Sequence, residues 1–186
     1  MKPEQIPREI IDKIQATYSE PGKLRTAVKY WYANIPERLW EDDYDKEKYK
    51  SIDNKNKQFL VFAKNKKQIK IVSDILKFYI DLGKDCIRQD FFDLMSAVCH
   101  YNEIDINNVM THFSNFDVIA ITGIKVGELY DSYEQRFVIM LENILNDRFS
   151  KILILGFEKI PEGKFAEGYG KTLNEFIEEN SFDNLC

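Results

Sequence analysis

The segment FDVIAITGI, residues 116–124, decides the fold, because its apolar run predicts a strand that is buried on both faces. Such strands occur in parallel sheets that helices cover on each side. The run ends at Thr122 and Gly123. An oxygen anion at a strand tip can hold a phosphate-bound Mg²⁺, and a neighbouring base can activate water. Neither residue supplies one, so the tip lacks the groups that phosphate chemistry needs.

Strands and helices alternate on both sides of this segment. Short apolar runs predict strands, and apolar positions three and four residues apart predict helices. The pattern strand, helix, strand, helix, strand, helix, strand is typical of a parallel α/β sheet with helices on both faces. The predicted strands are 59–63, 85–91, 116–121 and 151–155, and a polar loop is predicted over 64–70. The first predicted helix follows this loop and ends at Gly83, and the others cover 92–100, 133–145 and 173–177.

The first third of the chain has a different character. Residues 4–18 predict an amphipathic helix, and a second helix begins at about Lys23. The charged stretch 41–57 predicts a solvated connector with one short helical turn at most. We therefore expect two units, the N-terminal helices with a lead-in over 1–50 and an α/β core over 51–186.

Composition limits the classes of function. A net charge of −5 over 186 residues argues against broad, sequence-independent DNA binding, although a local basic patch is compatible with it. The three cysteines form no CxxC pair, and neither a secretory signal nor a membrane span is recognisable. These features favour a reducing, cytoplasmic compartment. His100 and His112 have no acidic or cysteine partners at ligand spacing, so no metal site is expected.

Four regions, taken in order, resemble the AAA+ ATPases of the DnaC/DnaI helicase-loader type. ANIPERLWEDD (33–43) is similar to the lead-in before that family's first strand. The segment 116–124 and the helix 134–149 resemble the Walker B strand and the helix after it, with Asn146, Arg148 and Phe149 matching its end. Residues 151–173 resemble the sensor 1 strand and the start of the last helix, and residues 59–86 lie where the phosphate loop and its helix belong. The resemblance implies a parallel-sheet P-loop NTPase core, here without the helical lid.

The departures from that family fall on its catalytic elements. A phosphate loop reads GxxxxGK[ST], because glycines let backbone N–H groups surround the phosphates. The corresponding segment 64–70 has no glycine, serine or threonine, and the family's lysine falls on Lys70 or Gln68. Thr122 and Gly123 replace the Walker B acids. The sensor 1 residue falls near Gly156 or Phe157, and the arginine finger near Asn174 or Glu175. We therefore expect no catalytic residues, no bound cofactor and no ATP hydrolysis.

Several residues keep more than one interpretation. The lysines of the predicted loop could be solvated, could contact an anion or DNA, or could be a relic of the phosphate cradle; they are Lys64, Lys66, Lys67 and Lys70. Asn146 and Arg148 could contact a partner or DNA, or Arg148 could form a salt bridge at a helix end. Glu134 lies at a helix start, where an acid favours the helix dipole, so capping is preferred to acid–base chemistry.

The resemblance implies a role in DNA replication. The expected protein is a catalytically inactive relative of helicase loaders that binds a replicative helicase, a loader or DNA. One alternative is an inhibitor that occupies a subunit position in a loader ring. Another is a single-stranded DNA-binding accessory protein that uses the lysines together with Phe62 and Tyr101. An unrelated enzyme finds no support, since no nucleophile–base pair or metal cluster is evident.

Overall fold

A computed structural model of the chain describes residues 6–53, 58–100, 103–125, 127, 131–146, 151–160 and 164–185. These residues form five strands, nine α-helices and a 3₁₀ turn at Glu37–Leu39. In chain order the elements are α1 (Arg8–Thr17), α2 (Pro21–Tyr32), α3 (Lys46–Asp53), β1 (Gln58–Phe62), α4 (Asn65–Asp81), β2 (Cys86–Asp90), α5 (Phe91–His100), α6 (Glu103–Ser114), β3 (Val118–Ile124), α7 (Asp131–Leu145), β4 (Ile152–Phe157), α8 (Phe165–Tyr169), α9 (Lys171–Glu179) and β5 (Asp183–Asn184).

The five strands form one sheet in the order β2-β3-β4-β1-β5, and every pair is parallel. Helices therefore connect the strands and cover both faces. Alternate residues of each strand face opposite sides, so Phe59 and Val61 join one core while Leu60 joins the other. The central strands β3 and β4 are almost completely buried, which explains their continuous apolar sequence.

One core lies between the sheet and helices α5, α7 and α9, and the other between the sheet and α4. The second core also contains Tyr30, Ile35 and Leu39, so the N-terminal segment packs on α4 rather than apart from the sheet. Burying one such side chain contributes about 1.5–3 kcal/mol. The N-terminal helices and the α/β core thus share apolar packing.

Lysine side chains fasten two segments to this core. Lys77 on α4 is 1% exposed and donates hydrogen bonds to the carbonyls of Leu39 and Asp42. Burial lowers the pKa of Lys77. Lys151 is 3% exposed and donates to the carbonyls of Phe113, Ser114 and Phe116, at the end of α6. A cation at this place satisfies carbonyls that have no partner within the helix.

The predicted parallel α/β sheet is confirmed, and its four predicted strands are found within three residues of their expected ends. The prediction of a polar loop over 64–70 is wrong, because α4 begins at Asn65, with Lys64 directly before it and the other three lysines on its first turns. Without a glycine the segment has no residue suited to a phosphate-wrapping loop, and helix formation satisfies its backbone instead. Helices α6 and α8 were not predicted, and the connector holds a two-turn helix, α3.

Within the described part of the chain, β5 ends at Asn184 and no helical lid is found. None of the described helices is long and apolar enough to cross a bilayer.

Candidate functional site at the carboxyl edge of the sheet

Parallel sheets bind ligands beyond the carboxyl ends of their strands, and here those ends meet at β1, β3 and β4. Ala63 follows β1, Gly123 lies near the end of β3, and Gly156 lies near the end of β4. We call this surface, formed by Ala63, Gly123 and Gly156, the carboxyl edge. A phosphate group in a nucleotide-binding protein of this topology would lie here.

The side chain of Gln68 occupies the carboxyl edge. It extends from α4, and the residue is only 2% exposed. Its Nε2 donates to the Ala63 carbonyl at 3.0 Å, and its Oε1 accepts from the Gly123 N–H at 2.8 Å. Gly156 makes room for it, since a Cβ at that position would lie 2.9 Å from Gln68 Cδ. One neutral amide therefore joins β1 to β3 and covers β4.

The backbone at Gly123 fits this arrangement. Its φ is +86°, and the pairing of β3 with β4 shifts between Ile121 and Ile124. The N–H of Gly123 bonds to Gln68, not to a strand. A side chain here would be strained by the positive φ and would meet Asp90 Oδ2 at 3.0 Å. The backbone at this position therefore disfavours any acidic side chain.

Thr122 is also held by neighbouring groups. It is 1% exposed, and its Oγ1 accepts a hydrogen bond from Arg88 Nη1 at 3.1 Å. Arg88 Nε donates to the Asn34 carbonyl at 3.0 Å, while Asn34 Nδ2 donates back to the Arg88 carbonyl at 3.1 Å. Burial lowers the pKa of Arg88, and Asp90 opposes that shift. Arg88 thus ties the lead-in to β2 and β3, and it uses the Thr122 hydroxyl as a hydrogen-bond acceptor.

The four lysines of the segment have different surroundings. Lys64 precedes α4, and Lys66 and Lys67 lie in its first turn; all three are exposed. Across the ranges that the structure describes, none of these three takes part in an ion pair. Lys70 lies 3.1 Å from Asp42 Oδ2 and 3.3 Å from Asp74 Oδ1. Burial acts to lower the pKa of Lys70, but the two carboxylates outweigh this effect, and the pKa is raised. The structure therefore separates Lys70 from the other three.

The remaining predicted positions are dispersed. Phe157 is fully buried, and its ring centroid lies 5.3 Å from that of Phe62. Asn174 Nδ2 donates to Glu178 Oε1 on the same helix, at 2.8 Å. Asn146 is exposed at the end of α7, and Arg148 lies outside the described residues. Among the residues the structure describes, no three His, Cys, Asp or Glu side chains could hold a metal ion together.

Glu134 caps a helix, but not its own. Its side chain starts from α7, is 6% exposed, and accepts the Leu173 N–H at 2.8 Å in the first turn of α9. Gly170 precedes α9 with φ +105°, and any Cβ there would collide with the Glu134 carboxylate. An anion at a helix N-terminus is stabilised by the unpaired N–H groups and the dipole. This arrangement assigns Glu134 a structural role.

Sequence reasoning did not identify the roles of Gln68, Arg88 and Asn34. Gln68 had a recognisable signal, since it lies four residues before Val72 on the buried face of α4. A polar residue at a buried helical position needs partners, so its neighbours could have been sought. Arg88 and Asn34 carried no such signal, because their pairing depends on how the lead-in lies beside β2.

Comparisons with known proteins concern the fold of the chain. No family model matches the sequence, and no curated protein matches it. Among solved structures, the chain is similar to a DNA replication initiation factor, with a TM-score of 0.55 and 14% identity over 75% of this chain and 43% of the other. It is similar to the replication initiator DnaA bound to AMPPCP and single-stranded DNA, with a TM-score of 0.53 and 14% identity over 74% of this chain and 44% of the other.

The DnaC helicase loader matches with a TM-score of 0.54 and 13% identity, over 92% of this chain and 94% of that one. The chain thus spans less than half of the first two proteins and almost the whole of the DnaC structure. These likenesses confirm the predicted fold, a parallel α/β sheet covered by helices that is shared with the DnaC helicase loader.

Proposed function

We propose that this protein acts in DNA replication as a helicase-loader-like protein that does not hydrolyse ATP and works by binding a replicative helicase, a loader or DNA. The near-complete overlap with the DnaC helicase loader supports the choice of process. Because a fold alone does not specify an activity, the argument for lost hydrolysis depends on the site.

The observation that carries the proposal is the position of Gln68. Its amide fills the place above β1, β3 and β4 where a triphosphate would need backbone N–H donors. The Gly123 N–H already has its acceptor, and the Thr122 hydroxyl already accepts from Arg88. A nucleotide would have to displace Gln68 and break two hydrogen bonds before any phosphate contact could form.

The connection between β1 and α4 supports the same proposal. Only Ala63 and Lys64 separate the strand from the helix. A phosphate loop places about six residues before its lysine, and these wrap around the phosphates. Two residues cannot form that cradle, and the lysine nearest the family's position, Lys70, is paired with Asp42 and Asp74.

A titration of ATP with Mg²⁺, followed by calorimetry, tests the lost nucleotide chemistry. We expect no heat of binding with the unaltered protein and no phosphate release above the rate of a buffer blank. A Lys70→Ala variant should behave identically, with Lys67→Ala as the matched control on the same helix. Saturable magnesium-dependent binding, or hydrolysis that Lys70→Ala abolishes, would contradict the proposal.

Binding to a purified replicative helicase and to a purified loader tests the partner. A helicase-loading assay then distinguishes a helper from an inhibitor, because an inhibitor in a loader ring would lower loading as its concentration rises. Stable association with neither protein, combined with no DNA binding, would refute the proposed role.

The exposed lysines favour DNA as a further partner. We expect single-stranded DNA binding to weaken with salt, and a Lys66→Ala/Lys67→Ala variant to lower the slope of log K against log salt by about 1.4, since each phosphate contact contributes ~0.7. The control is Lys84→Ala/Lys171→Ala, which removes the same charge from exposed positions elsewhere. An equal change in both variants would indicate a net-charge effect and not a contact.

A further inference from the structure

A second site lies among α1, α2 and the lead-in, away from the carboxyl edge. A cavity of about 400 Å³ opens there, lined by three aromatic side chains and two carboxylates among others. The aromatic residues are Tyr18, Tyr30 and Trp40, and the carboxylates belong to Glu20 and Glu41. The faces of aromatic rings attract cations, and carboxylates near them add direct charge attraction.

We propose that this cavity, which we call the aromatic cavity, binds an arginine side chain presented by a partner protein. The guanidinium would lie against Tyr18 and Trp40 and pair with Glu41. This binding site is independent of the proposed role in replication.

The geometry of the rings favours Tyr18 and Trp40 over Tyr30. The Tyr18 and Trp40 centroids are 6.3 Å apart, with an angle of 37° between the ring planes, and both residues remain partly exposed. The ring of Tyr30 already faces a cation, since Lys77 Nζ lies 5.5 Å from its centroid. Trp40 is held in place because its Nε1 donates to the Ile35 carbonyl at 2.8 Å. The available aromatic surface is therefore fixed before a ligand arrives.

The charges of the cavity single out Glu41. Glu20 Oε2 lies 3.4 Å from Lys23 Nζ, and Lys23 also lines the cavity, so these two charges offset each other. Glu41 is exposed and forms no ion pair within the described ranges. Glu41 and Tyr18 line the same cavity, and a hydrogen bond to Glu41 raises the pKa of Tyr18 to about 12. Glu41 can accept further hydrogen bonds from a cation there.

Arginine fits these features better than lysine. Its planar guanidinium stacks on aromatic faces, is weakly hydrated, and donates two parallel hydrogen bonds to one carboxylate. An ammonium is a strongly hydrated point charge that cannot stack in this way. The partner is therefore a polypeptide with an exposed arginine.

Peptides of the form acetyl-Gly-Gly-X-Gly-Gly-amide test the site, with arginine, lysine or the neutral isostere citrulline at X. Binding is followed by the NMR shifts of the Trp40 indole and the Tyr18 ring in the intact protein. We expect millimolar binding of the arginine peptide, at least about tenfold tighter than citrulline and measurably tighter than lysine. The affinity should fall as salt concentration rises.

Two variants connect the binding to the named residues. Glu41→Gln should weaken arginine binding about tenfold, whereas Glu9→Gln, an exposed carboxylate outside the cavity, should leave it unchanged. Tyr18→Leu keeps apolar bulk but removes the ring, and it should weaken binding several-fold. The proposal is overturned by equal binding of citrulline, by equal or tighter binding of lysine, by an unchanged affinity in Glu41→Gln, or by no shift of Trp40 at saturating peptide.

Discussion

The two ends of α4 are fastened to the rest of the molecule by different chemistry. Near its start, the neutral amide of Gln68 joins the ends of β1 and β3. Near its end, charged groups hold the N-terminal segment: Lys77 bonds to the carbonyls of Leu39 and Asp42, and Asp81 lies 2.6 Å from both Lys46 Nζ and the Tyr44 hydroxyl. One helix therefore closes the carboxyl edge with a neutral group and secures the lead-in with charged ones.

This difference shows how the site can be closed without a buried charge. A phosphate-binding lysine that lost its phosphate would be an uncompensated charge at the strand tips, which is costly in a buried place. Gln68 presents a donor and an acceptor that match one carbonyl and one N–H, so the edge is satisfied without an ion. At the other end of the helix, Asp81 and Lys46 remain partly exposed to water, and the buried Lys77 is satisfied by the carbonyls of Leu39 and Asp42.

Lys77→Ala should give the largest loss of stability, about 3 kcal/mol in the free energy of unfolding. The substitution leaves a cavity and removes the donor from the carbonyls of Leu39 and Asp42. Urea denaturation measures it, and the matched control is Lys67→Ala on the same helix, which should change stability by less than about 0.5 kcal/mol. A loss below about 1 kcal/mol would mean that the charged end does not secure the lead-in.

Gln68 and Gly156 should be coupled. Gln68→Ala leaves the Ala63 carbonyl and the Gly123 N–H unpaired, and we expect a loss of about 2 kcal/mol. Gly156→Ala drives a methyl group against Gln68 and should lose a similar amount. The double variant should lose at least about 1 kcal/mol less than the sum, since the methyl group fills the space that the amide leaves.

The control for this cycle is Gly22→Ala, where a Cβ meets nothing within 4 Å. In an exposed helix this change should be neutral or slightly stabilising. Strict additivity of Gln68→Ala and Gly156→Ala would show that the amide does not occupy the carboxyl edge in solution.

The sheet could be predicted from sequence because its signals are local. The uninterrupted apolar run at 118–121 and the short run at 59–63 indicate burial on both faces, which a parallel sheet with two helical layers provides. The start of α4 could not be predicted in the same way. Lysines at 64, 66 and 67 are compatible with a loop or a first helical turn, and the choice depends on Gln68 finding partners on two distant strands.

For the candidate site, the sequence shows only which residue types are absent. The absence of glycines, of a hydroxyl and of strand-tip acids is visible in the sequence at 64–70, Thr122 and Gly123. The side chain that fills the carboxyl edge is set by tertiary structure, because Gln68 and Gly123 are 55 positions apart. The aromatic cavity was missed for the same reason, since Tyr18 and Trp40 meet only when α1 folds against the lead-in.

Gly123→Ala and Gly83→Ala separate backbone strain from crowding at the neutral end. Both glycines have nearly the same positive φ, +86° and +84°, so each variant should lose about 1–2 kcal/mol from strain. A Cβ at Gly83 meets nothing within 4 Å, whereas one at Gly123 meets Asp90 Oδ2 at 3.0 Å. We expect an excess loss of about 1 kcal/mol at Gly123, measured by urea denaturation.

A Gly123→Asp variant extends this comparison to an acid at the tip of β3. It should be less stable than Gly123→Ala, because a second carboxylate would lie beside Asp90. It should not acquire ATP hydrolysis, since Gln68 still fills the edge. A gain of hydrolysis would show that the backbone at Gly123 adapts more easily than its positive φ indicates.

The smallest predicted effect is a difference between the two ends of α4 in how their contribution to stability depends on pH. Burial acts to raise the pKa of Asp81, but hydrogen bonds from Lys46 and Tyr44 outweigh this effect, and the pKa is lowered. The charged form is therefore favoured in the folded state, so its stabilisation is present above the ordinary aspartate pKa and is lost as pH falls through the lowered one. Because Asp81 and Lys46 are 36% and 66% exposed, the contribution should stay below about 1 kcal/mol.

Unfolding free energies from pH 6 down to pH 3 should fall less steeply in Asp81→Asn than in the unaltered protein, whereas Gln68→Ala should keep the original slope. A slope that Gln68→Ala alters and Asp81→Asn does not would reverse the assignment of neutral and charged ends.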